Sequence, residues 1–360
     1  METLQAGGGR IPARHYLPTA PGTYLWGRLP GGMDAAVLKV SPGEEVTIDT
    51  VSHEGILEDQ GRDPLAFFGS HGVDPADVLT DAIAIARDGA RDTTHDGPHV
   101  VTGPIAVDGA EPGDLLTMTV VETTPRVGYG VISNRHGRGA LSGEFPRGAG
   151  NVSVFADVVT DGDGTSYGRL PLAEGGERSV RFPLAPFLGI MGVAAAGERP
   201  HSVPPGPYGG NIDINLLQAG ARLHLPVRVP GALAYVGDPH FAQGDGEVAL
   251  TALEAPLRAT IRFDLSTAAE AAVRFGELAG PLAETREFLV PTGMDADLDE
   301  AVRQCVRHAI ALLGARWGMA EHLVYAYLSA ATDFNISQVV DLVTGVHARI
   351  RKSDFAGVAR

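Results

Sequence analysis

The sequence predicts an α+β fold dominated by β structure. The core is sandwich-like or barrel-like, with helices near residues 74–87 and in the C-terminal region. Three observations support this. Gly (47) and Pro (25) together make up a fifth of the 360 residues and are spread along the whole chain, which favours many turns and short strands over a helical bundle. Three separate segments repeat one local pattern, a turn that feeds an alternating strand. Sustained helical periodicity is confined to a few stretches, most of them after Met294.

Taken in order, Gly7-Gly-Gly-Arg10 reads as the end of a flexible lead-in, residues 1–10. Ser41-Pro-Gly-Glu-Glu-Val-Thr-Ile-Asp-Thr50 is the first turn and strand. Glu111-Pro-Gly-Asp-Leu-Leu-Thr-Met-Thr-Val120 repeats it, and Gln218-Ala-Gly-Ala-Arg-Leu-His-Leu-Pro-Val227 is a looser third version. They are expected to take equivalent places in the β core, and their irregular spacing argues against a solenoid. Between the first two, Asp74-Pro75 opens a helix over 74–87, with Asp as cap and Pro in the first turn. Residues 145–185 alternate again (Asn151-Val-Ser-Val-Phe155, Val180-Arg-Phe-Pro-Leu184) and predict more strands. Asp297–Trp317 predicts an amphipathic helix with Leu298, Val302, Cys305, Val306, Ile310 and Leu313 on one face. Ala320–Ala331 and Asn335–Val346 predict two more. Residues 11–360 form one unit, and a division into two packed lobes, about 11–140 and 141–360, is left open.

Hydrophobic residues make up 44% and mean hydropathy is +0.03, enough for a sizeable core. A net charge of −16 argues against a nucleic-acid partner, whose phosphates call for Lys and Arg, and fits a small neutral or cationic one. Cys305 is the single cysteine, so no intrachain disulfide can form. No apolar signal core and no apolar span of about 18 residues is visible, so the expectation is a cytoplasmic protein without a membrane partner.

The richest chemistry lies between Gly209 and Glu254. Asn211, Asp213, Asp238, His240, Gln243, Asp245 and Glu247 sit there among glycines, which let backbone approach a ligand. Carboxylates and an imidazole on such turns can bind a metal or carry protons. Asp245-Gly246 also fits a plain hairpin turn. The one-residue gap between Asn211 and Asp213 puts both on one side of an extended strand, or makes a capping turn. His53-Glu54 is either a ligand and base pair or a solvated loop. His95 and His99 have the i, i+4 spacing of a metal pair, but Gly97-Pro98 argues against the helix that would align them. Cys305 lies mid-helix on an apolar face and reads as packing. No serine sits in a Gly-x-Ser-x-Gly elbow, and with Lys39 and Lys352 as the only lysines a Ser–Ser–Lys arrangement is not expected.

Several blocks together resemble the acetamidase/formamidase family. They are Val101-Thr-Gly-Pro-Ile-Ala-Val-Asp-Gly-Ala-Glu-Pro-Gly-Asp114, Gly189-Ile-Met-Gly-Val193, Gly210-Asn-Ile-Asp213, Gly231-Ala-Leu233, Gly244-Asp-Gly-Glu-Val248 and Ile336-Ser-Gln-Val-Val-Asp341. The resemblance runs from about residue 37 to residue 355. It implies a β-rich amidohydrolase that cleaves short amides such as formamide or acetamide to ammonia and a carboxylate. One departure is plain: where many members carry a cysteine just after the Gly-Asp-Gly-Glu-Val block, this chain has Ala249, so cysteine chemistry there is excluded. The loops around His53 and Asp59 set it in a subgroup whose substrates can differ.

Amide hydrolysis needs a nucleophile, a stabilised oxyanion and a proton for the leaving nitrogen. A divalent metal, zinc by preference with calcium as the alternative, would serve the first two. Asp213, His240 and Glu247 are the expected ligands. Asp245, His240 and Glu247 are the expected catalytic groups, with Asp245 as proton carrier. Asn211, Gln243 and Thr102 are the expected substrate contacts, although Thr102-Gly103-Pro104 also reads as a turn. The expected partner is a small neutral amide, and the expected assembly a homo-oligomer, dimer or tetramer. The rival is a non-catalytic small-ligand-binding β protein with structural calcium.

Overall fold

The computed structural model describes residues 2–358. Two large sheets hold the strands among them. The first has nine strands in the order His15–Leu17, Glu45–Asp49, Leu257–Ser266, Leu115–Pro125, Arg222–Pro226, Leu282–Glu284, Phe288–Asp295, Thr344–Arg351 and Asp333–Gln338. All three turn-and-strand segments fall in it, close together, as their shared pattern predicts. The second has eleven. Its main path runs Ser179–Pro183, Ser166–Pro171, Asn151–Thr160, Tyr129–Arg135, Leu253–Glu254, Ala234–Ala242, Phe187–Gly192 and Gly209–Asn211. Tyr24–Trp26, Leu38–Val40 and Val100–Val107 branch from it. Strands from residues 11–140 and 141–360 interleave in both sheets. Leu115–Pro125 pairs with Leu257–Ser266 along ten residues, for example.

The apolar positions of the two sheets form one buried cluster. Ile48, Met118, Leu223, Ile261 and Phe263 come from the first sheet, and Ile105, Leu188, Met191, Val236 and Phe241 from the second. Burying each such side chain contributes about 1.5–3 kcal/mol. A second cluster lies where the helices cover the far end of the first sheet, with Phe275, Leu289, Leu312, Leu313, Leu328 and Ile350 buried together. The long helix Leu298–Trp317 starts at Asp297, whose side chain accepts from the Glu300 N–H, and ends at Gly318 with φ 64. It presses on the strand Phe288–Asp295 so closely that a Cβ at Gly293 would sit 2.0 Å from the Ala301 carbonyl oxygen. Cys305 is buried on that face, and its thiol donates to the Pro291 carbonyl at 3.2 Å.

One predicted helix starts later than expected and another is replaced by strands. Over 74–87, Asp74 caps only a 3₁₀ turn, Pro75–Asp77, and the helix is Thr80–Asp88. Val78 and Leu79 between them are extended and plug the core at 1% and 2% exposure, so tertiary burial interrupts the helical pattern. Residues 335–346 are not helical. They contribute the strand Asp333–Gln338, a reversal in which Leu342 has φ 66, and the start of Thr344–Arg351. The β-branched residues there fit a pleated, half-buried surface better than a helix. The lead-in runs along the body: Leu4 N–H donates to the Arg126 carbonyl at 2.7 Å, and Arg258 Nη1 donates to the Gly8 carbonyl at 2.6 Å.

Candidate active site

The strand Ala234–Ala242 builds the site because it changes partners midway. One edge pairs with Phe187–Gly192 along its length. The other edge pairs with Val100–Val107 from Ala234 to Gly237, then with Leu253–Glu254 at His240 and Ala242. Between them lie Asp238, with φ 50, and Pro239, which has no N–H to leave unpaired. The fork collects chemistry from three strands. His99 immediately precedes Val100, Glu254 stands opposite His240, and Asp238 occupies the gap.

Two further acids arrive on strained backbone. Asp213 has φ 48 and Glu247 has φ 46, in the left-handed region that non-glycine residues enter at a cost of about 1–3 kcal/mol and hold mostly at functional sites. The floor between them is Gly189. A Cβ there would lie 2.4 Å from Asp213 Oδ1, 2.7 Å from His240 Cε1 and 2.8 Å from Asp238 Oδ2. Only glycine lets the three side chains converge.

Ligand atoms of Asp213, His240 and Glu247 all lie within 4.8 Å of one another, and the three residues are buried. The same holds for Asp238, His240 and Glu254, and for His53, His99 and Asp238. His240 Nε2 is 3.1 Å from Asp238 Oδ2 and 3.0 Å from Glu254 Oε1. The other oxygen of Asp238 faces His53 Nδ1 at 3.5 Å and His99 Nε2 at 3.7 Å. Asp238 thus bridges the two histidine groups. Both Asp213 oxygens, Asp238 Oδ1, Glu254 Oε2, His53 Nδ1 and Asn211 Oδ1 are buried without a hydrogen-bond partner.

Electrostatics follow from that crowding. Burial pushes the Asp213 and Glu247 carboxyls well above the usual carboxylate range, and neighbouring acids push further in the same direction. Burial raises Glu254 to about 7 against the pull of His240, and raises Asp341 to about 8, with the Asp238 charge adding to it. Asp238 goes the other way. Burial opposes ionisation, but His99, His240 and His53 together hold it well below the usual range. His53 is raised to about 10 despite burial, through Asp238 and Glu54. Burial lowers His99 to about 4.

His53, His99, Asp238, Glu247, Glu254 and Asp341 line a cavity of about 710 Å³, while Asp213 and His240 are fully buried behind them and do not line it. Asn211 also faces it, and its Nδ2 donates to Asp341 Oδ2 at 3.0 Å.

Three expected site residues stand elsewhere. Asp245 is exposed. Its oxygens accept from Asn215 Nδ2 at 3.0 Å and Asn335 Nδ2 at 2.6 Å, so it ties a turn outside the cavity lining. Thr102 is buried against Thr19 Oγ1 at 2.9 Å and lines no part of the cavity. Gln243 does not line the cavity either; its amide meets His240 Nδ1 at 3.0 Å and two backbone carbonyls. His95 is exposed and bonds Asp92, so the His95/His99 pair divides and only His99 enters the site. His53 and Glu54 are buried in the site and not solvated. Glu54 accepts from Ser133 Oγ at 2.5 Å and pairs with Arg135 at 3.3 Å. Glu254 and Asp341 carry no local motif that marks them as site residues, since strand pairing across the fork brings Glu254 to His240.

The acetamidase/formamidase family profile matches residues 73–202 and 193–350. The formamidase of Methylophilus methylotrophus is 29% identical over 191 residues, 42% of this chain and 47% of that protein. The acetamidase of Mycolicibacterium smegmatis is 28% identical over 198 residues, 42% of this chain and 49% of that protein. The aligned stretch spans about half the length of these relatives. A solved acetamidase of Bacillus halodurans superposes with a TM-score of 0.73 at 21% identity, covering 96% of this chain and all of that one, a likeness of fold. No helix among the described residues is long and apolar enough to cross a membrane. On the extent of the profile match, this chain belongs to the acetamidase/formamidase family.

Proposed function

We propose that this chain hydrolyses the C–N bond of short amides, with a divalent cation held by Asp213, His240 and Glu247. The observation that supports the cation is the state of Asp213. Its carboxylate is buried, neither oxygen accepts from an N–H or hydroxyl group, and it faces His240 and Glu247 within 4.8 Å, with the Asp341 carboxyl as a further neighbour. A buried carboxylate is costly unless paired, and more acids around it raise the cost. Two carboxylates and one imidazole fit zinc better than calcium, which prefers oxygen ligands throughout. When bound, such a cation would polarise the carbonyl and acidify water.

The chain's own residues do the rest. Asn211 lines the cavity with Nδ2 committed to Asp341, so its unpartnered Oδ1 accepts from the substrate N–H₂. Glu254 is buried on the floor with Oε2 free of hydrogen bonds, and it takes the proton-carrying role in place of Asp245. It receives a proton from water as the C–O bond forms and returns it to nitrogen as the C–N bond breaks, releasing ammonia and a carboxylate. Asp238 orients three histidines at once. The acidic floor disfavours the anionic product, which helps it leave.

The test is ammonia release from formamide and acetamide by the purified protein and by Asp213→Asn and Glu254→Gln. Turnover by the wild type and a loss of about 100-fold or more in each variant supports the assignment. Wild-type turnover that survives both substitutions removes it.

A further inference from the structure

The cavity is larger than its proposed reaction requires. At about 710 Å³ it falls in the range that encloses drug-sized ligands, and acetamide would fill a small part of it. Its outer wall is built to hold something more. Leu250, Val339, Val340 and Leu342 give one apolar side. Around the rest of the rim, charges come in neutralised pairs: Arg135 with Asp59 at 2.6 Å, Arg91 with Glu58, and Asp96 with Arg28 at 2.6 Å. Arg138 is the exception. It is exposed and lines the cavity, and its guanidinium pairs with no carboxylate or carbonyl among the described residues. Gly137 and Gly139 flank it at φ 86 and 79.

The lining holds a second donor. His201 also lines the cavity, and its Nδ1 accepts from the Val203 N–H at 3.1 Å, which leaves Nε2–H as a donor. The Arg138 charge reaches His201. It adds to burial and to Arg28 in holding that imidazole below its ordinary pKa, so His201 stays neutral and keeps one proton to donate. An unpaired guanidinium and a neutral N–H donor on the lining of one cavity suit a carboxylate, which an Arg can take in bidentate form.

We infer that the preferred substrates are amides whose acyl chain ends in an anionic group, with the amide on the acidic floor, the chain along Leu250 and Val340, and the anion on Arg138. This rests on the amidase reading of the same site. It separates the two ends of the cavity by charge. The floor accepts the neutral amide and repels anions, so an anionic tail fixes which end of the molecule enters. Arg138 is a specificity-determining residue and not a catalytic one.

The test compares glutaric acid monoamide with hexanamide, a neutral chain of similar length, by ammonia release, together with binding of the same two amides by calorimetry. The expected wild-type ratio of kcat/KM, carboxylated over neutral, is about tenfold, and mostly in KM. Arg138→Gln brings that ratio close to one and Arg138→Lys keeps part of it, whereas Arg169→Gln on the remote edge of the sheet leaves the ratio alone. Equal kcat/KM for the two amides, or a ratio unmoved by Arg138→Gln, overturns the inference while the amidase reading stands. If no amide is turned over, the amidase reading falls, and calorimetry decides. Binding of glutaric acid monoamide that Arg138→Gln abolishes supports the anion site, and binding of it unaffected by the variant, or absent, overturns it.

Discussion

Gln243 holds His240 in one tautomer. The Gln243 amide nitrogen donates to the backbone carbonyls of Asp213 at 3.1 Å and Ser337 at 3.2 Å. Both can only accept, so the amide cannot be turned round, and its oxygen must face His240 Nδ1 at 3.0 Å. Nδ1 therefore carries the proton. Nε2 is left against Asp238 and Glu254, where a bare lone pair would meet two carboxylates. A proton or a cation has to sit in that neighbourhood, so a cation that His240 ligates would be held through Nε2, with Asp238 and Glu254 beside it, and metal-ligating histidines are commonly oriented through their other nitrogen in this way.

Gln243→Leu should therefore act through His240. The expected loss is about 10–100-fold in kcat or metal affinity, with the fold retained. Circular dichroism, bound-metal content and ammonia release read it. Unchanged turnover and unchanged metal content would show that Gln243 does nothing for the imidazole.

Asp245→Asn should leave turnover within about twofold of the wild type. The side chain is exposed and outside the cavity, and the lost hydrogen bonds to Asn215 and Asn335 are worth about 0.5–1.5 kcal/mol each. Thermal unfolding should register a small decrease. A collapse of kcat without a change in unfolding would return Asp245 to the catalytic set.

Cys305→Ala should retain activity and lose about 1 kcal/mol of stability through the smaller side chain. The thiol is buried beneath the helix Leu298–Trp317, and burial pushes its pKa up, away from a reactive thiolate. Thiol-directed reagents should act only on unfolded protein. Rapid modification of the native chain that stops turnover would contradict this.

Acid stability should depend on Glu284. Burial opposes its charge, but His224 Nε2 at 3.1 Å and Lys352 Nζ at 2.7 Å hold its carboxyl well below the usual range. The folded pKa is depressed, so its contribution is complete above the unfolded value of about 4.3 and fades as pH falls toward the folded one. Between about pH 5 and pH 2 the wild type should lose stability more steeply than Glu284→Gln. Parallel denaturation midpoints for the two proteins across that window would count against the assignment.

The strands were legible because turns announce them. Pro-Gly and Ala-Gly steps before alternating residues at 41–50, 111–120 and 218–227 place three strands of one sheet. Residues 335–346 were not legible, since a short apolar run is ambiguous between helix and strand until a pairing partner is known. In the site, residue types pointed correctly to the convergence of Asp213, His240 and Glu247. Residue type misled at Asp245, where the hairpin-turn alternative fits better: Gly246 at φ 98 and Glu247 at φ 46 turn the backbone, and the Asp245 side chain is exposed while Glu247 is buried. Glu254 and His99 reach His240 and Asp238 only through the partner change of one strand, a long-range pairing that no local pattern carries.

The central claim is that a divalent cation on Asp213, His240 and Glu247 supports amide hydrolysis. Elemental analysis of the purified protein, run beside ammonia release from acetamide before and after chelation, tests it most directly. The account predicts bound divalent metal, with zinc foremost, loss of turnover as the metal is removed, recovery on adding zinc, and loss of bound metal in His240→Ala. A metal-free preparation that hydrolyses acetamide at the untreated rate would contradict it.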